Sequence, residues 1–128
     1  MNVLFIEDDG MNRRVVRDML DVAGADMTEA ESAEEGLRLI DEQSFDMLLV
    51  DLRMPGMDGI TAIGHVRGRG DAKGRVPIIV VTADTALDLR ERCLAAGADE
   101  VIFKPVAMDH LFDAMGRVLA ASDDGFID

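Results

Sequence analysis

Five polar residues lying far apart in the chain carry groups that together would perform one chemistry: the carboxylates of Glu7, Asp8 and Asp51, the hydroxyl of Thr82 and the ammonium of Lys104. Three carboxylates gathered in one place repel, so they must either hold raised pKa values or share a cation. A cation is the simpler answer. Oxygen ligands without Cys or His suit a hard metal, and Mg²⁺ takes one or two carboxylates, waters and a substrate phosphate. The acidic twelve-residue loop of a Ca²⁺-binding EF-hand is absent. Thr82 and Lys104 supply a donor and a fixed positive charge for phosphoryl oxygens. A carboxylate nucleophile, a metal, an ammonium and a hydroxyl are the parts of phosphoryl transfer, whose catalysis is mostly positioning and charge neutralisation.

Bringing these residues together requires a particular arrangement of elements. Short apolar runs recur at Val3 to Ile6, more weakly near Ala25 to Thr28, and at Met47 to Val50, Ile78 to Val81 and Val101 to Phe103. Runs apolar at successive positions suit strands covered on both faces, as in a parallel sheet. Helical patterns lie between them. Val15, Val16, Met19, Leu20 and Ala23 share one helical face, closed by Gly24, and Ala33, Leu37 and Ile40 share another, opened by the capping box Ser32 and Glu35. Leu111, Met115, Val118 and Leu119 repeat the pattern near the C-terminus. The alternation predicts an α/β domain of repeated βα units, with right-handed crossovers laying helices on both faces of one parallel sheet. Sites in such sheets lie beyond the carboxyl ends of the strands. The residues there are Glu7-Asp8, Asp51, Thr82 and Lys104, so the candidate chemistry and the expected topology agree. Gly68 to Gly74 and the segment after the last helix, 122–128, are expected to be the mobile stretches, leaving 1–121 as the domain.

Composition narrows the function classes. The chain has 128 residues, 48% hydrophobic and 30% charged, which fits one globular domain. The formal charge of -13 argues against a direct nucleic-acid ligand, which needs clustered Lys and Arg to displace counterions. Apolar runs are too short for membrane insertion. Val3 to Ile6 runs at once into Glu7-Asp8-Asp9, with no basic region or long apolar stretch of a secretory signal, and Cys93 is the sole cysteine; a cytoplasmic location is expected.

Four motifs in order carry a family resemblance: Phe5-Ile6-Glu7-Asp8-Asp9, then Leu49-Val50-Asp51-Leu52-Arg53-Met54-Pro55-Gly56-Met57-Asp58-Gly59, then Val81-Thr82-Ala83, then Phe103-Lys104-Pro105. The sequence resembles the response-regulator receiver domains over nearly its whole length. The resemblance implies a doubly wound (βα)5 flavodoxin-like fold and a phosphoryl group accepted by Asp51 from a histidine kinase or histidine phosphotransfer protein. It implies Mg²⁺ held by Glu7, Asp8, Asp51 and the backbone carbonyl of Arg53, with Thr82 and Lys104 on the phosphoryl oxygens, and a cis Lys104–Pro105 peptide. Val101 stands where relatives often carry an aromatic that follows the threonine on activation, so transmission must run through Thr82, its following loop or the fourth helix. Arg53 and Asp84 flank the site and are expected to pair across its mouth and slow hydrolysis.

Other residues take plainer roles. Asp9 reads as a helix cap, Asp58-Gly59 as the start of the third helix, and His65 and His110 as surface or half-buried residues. Cys93 falls with Ala86, Leu89 and Ala96 on one helical face as a small core residue. Leu87 and Leu94 then point outward on the fourth helix, a surface that similar domains use, with the fifth strand and helix, for effector docking or a homodimer. Three rival readings are a degenerate receiver acting only by docking, a phosphatase of the haloacid dehalogenase type, and a flavodoxin-like cofactor binder. The phosphatase wants a second Asp where Arg53 stands, and acids after the first strand would repel a cofactor phosphate. The chain is expected to be either a stand-alone receiver or a piece of a larger regulator or hybrid kinase.

Overall fold

The computed structural model describes residues 1–127, with side chains described to Ala121. Five strands, β1 (Asn2–Ile6), β2 (Asp26–Ala30), β3 (Met47–Val50), β4 (Ile78–Thr82) and β5 (Glu100–Phe103), alternate with helices. The helices are α1 (Gly10–Val22), α2 (Ala33–Glu42), α3 (Gly59–Arg67), α4 (Leu89–Ala96) and α5 (Met108–Ile127), and a 3₁₀ turn at Ala72–Arg75 precedes β4. Every strand pair is parallel, in the order β2-β1-β3-β4-β5.

The unbroken apolar runs of the strands serve both faces of the sheet, because successive side chains point to opposite sides. Leu4, Ile6, Leu48, Val50, Ile78 and Val80 face a core closed by Ile40 of α2, Ile63 of α3 and Leu89 and Cys93 of α4. Val3, Phe5, Met47, Leu49, Ile79 and Val81 face the other core, closed by Val16 and Leu20 of α1 and by Leu111, Met115 and Val118 of α5. β2 is an edge strand, and only Ala30 of it is buried, which is why its apolar signal is weak.

The helix ends follow local chemistry. Asp9 caps α1 by accepting from the Met11 amide at 2.9 Å, Ser32 accepts from the Glu35 amide at 3.1 Å, and Asp58 accepts from the Thr61 amide at 2.8 Å. Gly24, at φ 74°, follows α1 in the left-handed region.

Several expectations need correction. The buried face of α1 centres on Val16 and Leu20, so Val15, about 100° round the helix from Val16, is exposed, and Ala23 is the exposed C-cap. Ala86 and Leu87 precede α4 instead of lying on it. The Ala86 backbone is diverted: Asp84 Oδ1 accepts from the Ala86 amide at 3.0 Å, and the Ala86 carbonyl accepts from the Leu89 amide at 3.1 Å, a side-chain-directed turn that competes with helix. The inward face of α4 is therefore Leu89 and Cys93, with Ala96 partly buried. Within the stretch 68–74, Gly74 is buried and Arg69 pairs with Asp41 at 2.7 Å. α5 runs on to Ile127, through most of the segment expected to follow it; Asp128 and the side chains from Ser122 onward, on which the expected flexibility falls, lie outside the described residues.

Candidate functional site

Strand order reverses between β1 and β3, the switch point where open α/β sheets hold their sites. Ile6 and Val50 are paired neighbours there, so the next residues, Glu7 and Asp51, leave the sheet side by side. Phe103 pairs with Thr82 across β4 and β5, which sets Lys104 beside them. Thr82 is thus the last residue of β4, which runs one position further than the end at Val81 expected from its apolar run. Glu7 and Thr82 are fully buried, Asp51 nearly so, and Asp8 is exposed.

Lys104 Nζ lies 2.6 Å from Glu7 Oε1 and 3.6 Å from Asp51 Oδ2, and the Lys104–Pro105 peptide is cis. Burial, and then the neighbouring Asp51 carboxylate, push the Glu7 carboxyl above the ordinary carboxylate range; Lys104 pulls it back in part. Ligand oxygens of Glu7, Asp8 and Asp51 fall within 4.8 Å of one another. Glu7 Oε2 is buried with no hydrogen-bond partner among the described residues. A buried carboxylate oxygen left without a donor is costly, and a hard cation among three acids supplies what it lacks. The residues fit a metal of the Mg²⁺ kind.

Around this centre the structure arranges the remaining expected residues. The Asp84 amide donates to Thr82 Oγ1 at 3.1 Å, which leaves the threonine hydroxyl hydrogen free for another acceptor. Arg53 Nη2 pairs with Asp84 Oδ2 at 3.3 Å, so the expected bridge is formed; the Ala86 amide, and then Arg53, help hold the Asp84 carboxyl below its usual range. The arginine is 75% exposed, at the rim of a cavity of about 540 Å³ floored by Leu52, Met54, Ile60 and Leu89. Val101 is buried in the core shared with α4. Leu94 is exposed on α4, and Leu87 is exposed on the loop before it. His65 and His110 are exposed, and Cys93 is fully buried, with burial raising its thiol pKa.

Two arginines were invisible to the spacing argument. Arg13 Nη1 donates to the Glu7 carbonyl at 2.8 Å, immediately behind the acidic cluster. Arg67 donates to the carbonyls of Gly97, Gly74 and Val76 and to Asp99, far from the site. The one available signal for Arg13 was its place in the first turn of α1, four residues beyond the Asp9 cap; Arg67 had none.

Among known proteins, the sensor histidine kinase AruS of Pseudomonas aeruginosa is 36% identical over 119 residues, 92% of this chain and 12% of that protein. A cyclic di-GMP phosphodiesterase of Thermotoga maritima is 33% identical over 111 residues, 87% of this chain and 29% of that protein. The chain therefore spans less than a third of the length of these curated relatives. The solved receiver domain of the sensor histidine kinase PA1611 from Pseudomonas aeruginosa, with a magnesium ion in its active-site cleft, matches with a TM-score of 0.84 at 31% identity, covering 93% of this chain and 97% of that one. A putative response regulator from Chloroflexus aurantiacus reaches a TM-score of 0.88 at 28% identity over 93% of this chain and 97% of that one. None of these findings supports a haloacid dehalogenase-type phosphatase. With the response regulator receiver domain family model matching residues 3–116, on a sheet that gathers the acids, the threonine and the lysine at its switch point, the chain belongs to the response-regulator receiver domains.

Proposed function

We propose that Asp51 is the phosphoryl acceptor of a two-component signalling pathway and that a phosphohistidine on a histidine kinase or phosphotransfer protein is the donor. The observation that carries this reading is the meeting of Glu7, Asp8 and Asp51 within 4.8 Å, with Lys104 Nζ 3.6 Å from Asp51. In the transfer an Asp51 carboxylate oxygen forms the new bond to phosphorus as the phosphorus–nitrogen bond of the donor breaks and its imidazole takes up a proton. Mg²⁺, when bound by Glu7, Asp8, Asp51 and the Arg53 carbonyl, neutralises charge on the phosphoryl oxygens. Lys104 supplies fixed positive charge to those oxygens, and the Thr82 hydroxyl donates a hydrogen bond.

The domain's chemistry on this reading is limited to its own phosphorylation and slow dephosphorylation, in the cytoplasm. Its output is a change in partner binding, with the exposed Leu94 on α4 and Leu87 before it contributing to an effector or homodimer surface alongside β5 and α5. No helix among the described residues is long and apolar enough to cross a membrane. The test is phosphotransfer from a panel of labelled histidine kinases and phosphotransfer proteins with Mg²⁺. Label is expected on the wild type and lost on chelation and in Asp51→Asn; wild-type labelling of Asp51→Asn would refute the assignment.

A further inference from the structure

Glu7 and Asp8 are consecutive, so a single peptide plane joins two of the three acids. The torsions on either side of that plane, ψ of Glu7 and φ of Asp8, set where one carboxylate lies relative to the other. The Glu7 amide is held by the Ala30 carbonyl of β2 at 2.9 Å. The carbonyl of the Glu7–Asp8 plane is held by Arg13 Nη1 at 2.8 Å.

Arg13 is itself held. Its Nε donates to Glu29 Oε1 at 2.9 Å, Nη2 lies 3.5 Å from Glu31 Oε1, and its side chain is only 13% exposed. Glu29 also pairs with Arg17, one turn further along α1. The planar guanidinium thus spans from Glu29 of β2 and Glu31 just beyond it to the Glu7 carbonyl, a fork that the point charge of a lysine does not reproduce.

We propose that Arg13 is a positioning residue for the cation site: by fixing the Glu7–Asp8 peptide it sets the separation of the two carboxylates before metal arrives. This rests on the reading of Glu7, Asp8 and Asp51 as Mg²⁺ ligands. Partners behind a ligand change metal affinity by about 10–100-fold when lost. Charge alone predicts the opposite sign, because removing a positive group beside three carboxylates strengthens their attraction for Mg²⁺.

The experiment is Mg²⁺ titration followed by amide NMR on the full chain, for the wild type, Arg13→Gln, Arg13→Lys and Glu29→Gln, each checked for a native spectrum. Mg²⁺ Kd is expected to rise about tenfold in Arg13→Gln, nearly as much in Arg13→Lys despite the retained charge, and less in Glu29→Gln, which frees only the far end of the guanidinium. A folded Arg13→Gln that binds Mg²⁺ as tightly as the wild type, or more tightly, overturns the proposal. Should Arg13→Gln not fold, unchanged Kd in Arg13→Lys and Glu29→Gln overturns it equally. A wild type with no saturable shifts at Asp8 and Asp51 removes the metal reading and this inference together; wild-type binding with unchanged variants removes the inference alone.

Discussion

Arg67→Met is expected to be strongly destabilising although it lies far from the site. The arginine leaves the end of α3 and donates to the Gly97 carbonyl at 2.8 Å, the Gly74 carbonyl at 2.9 Å, the Val76 carbonyl at 2.6 Å and Asp99 Oδ2 at 3.0 Å. Methionine keeps much of the aliphatic stem, which packs where a Cβ on Gly97 would otherwise sit. Asp99 keeps the Ile78 amide at 2.8 Å and is 43% exposed, so its loss is small. The three carbonyls decide the magnitude. Bonds to a charged donor contribute about 1.5–3 kcal/mol each, but the Arg67 side chain is 23% exposed and water refills part of the space. Burial also lowers the Arg67 pKa, so some desolvation cost is recovered when the charge leaves. About 1 kcal/mol per carbonyl remains, or about 3 kcal/mol in all, equivalent to a Tm lower by about 12 °C in a domain of this size. Arg67→Lys, reaching one or two carbonyls, should lose about half as much. Urea denaturation followed by far-ultraviolet circular dichroism measures both, with m unchanged if the effect lies in the native state. A loss under about 1 kcal/mol for Arg67→Met, close to that of an ordinary surface substitution, would refute the reasoning.

Further expectations concern the site and its borders. In Gly59→Ala the new Cβ would collide with the Asp51 carbonyl and approach Leu52 Cα and Cδ2 at 2.9 Å, so the start of α3 must shift. A cost of about 1–3 kcal/mol and slower Asp51 labelling should follow, and wild-type values of both would exclude the clash. Asp58→Ala removes the α3 cap and should cost about 1 kcal/mol at neutral pH. The Thr61 amide, then its hydroxyl, hold the Asp58 carboxyl below its ordinary 3.8, so this stabilisation is present above that value and fades as pH falls through the lowered one. The gap between wild type and Asp58→Ala should therefore close in acid; a constant gap would contradict it. Arg53→Ala and Asp84→Ala should each shorten the acyl-phosphate lifetime, and an unchanged lifetime in both would remove the bridge from the account of hydrolysis. Phosphorylation should alter hydrogen exchange at Ala86 and Leu89 and leave Ala98 unaltered, whereas a uniform change along α4 would argue against a hinged helix.

What was legible in the sequence was whatever the parallel sheet itself enforces. Glu7, Asp51 and Lys104 follow buried strands, and chain direction alone brings parallel strand ends together. Thr82 came one residue out of place because a polar side chain ends an apolar run without ending the ladder, which continues to its pairing with Phe103. Ala86 and Leu87 were placed on α4 because Ala86, Leu89, Cys93 and Ala96 keep helical spacing, and periodicity does not register that Asp84 diverts the Ala86 amide into a turn. Arg67 lay beyond reach for another reason. Its partner Gly97 is 30 positions away, and nothing in local spacing distinguishes a guanidinium that clasps distant carbonyls from one that ends a helix in water.

These contacts hold α4 unequally, and that bears on how a domain with Val101 in its fifth strand reports on Asp51. At its C-terminal end Gly97, at φ 119°, closes the helix, its carbonyl is held by Arg67, and the Ala98 amide returns to the Cys93 carbonyl at 3.0 Å. At its N-terminal end Asp88 makes no side-chain capping bond. That end is joined to the site by Thr82 Oγ1 accepting from the Asp84 amide and by Asp84 bonding Ala86 and Arg53. Valine has no ring to swing between buried and exposed positions, and Val101 is packed in the core beneath α4. A displacement of the Thr82 hydroxyl towards a phosphoryl oxygen would act first on Asp84, hence on Ala86 and Leu87, at the end of α4 that lacks a side-chain cap. The secured end, clasped to α3 and β5, supplies the fixed frame against which such a movement is felt.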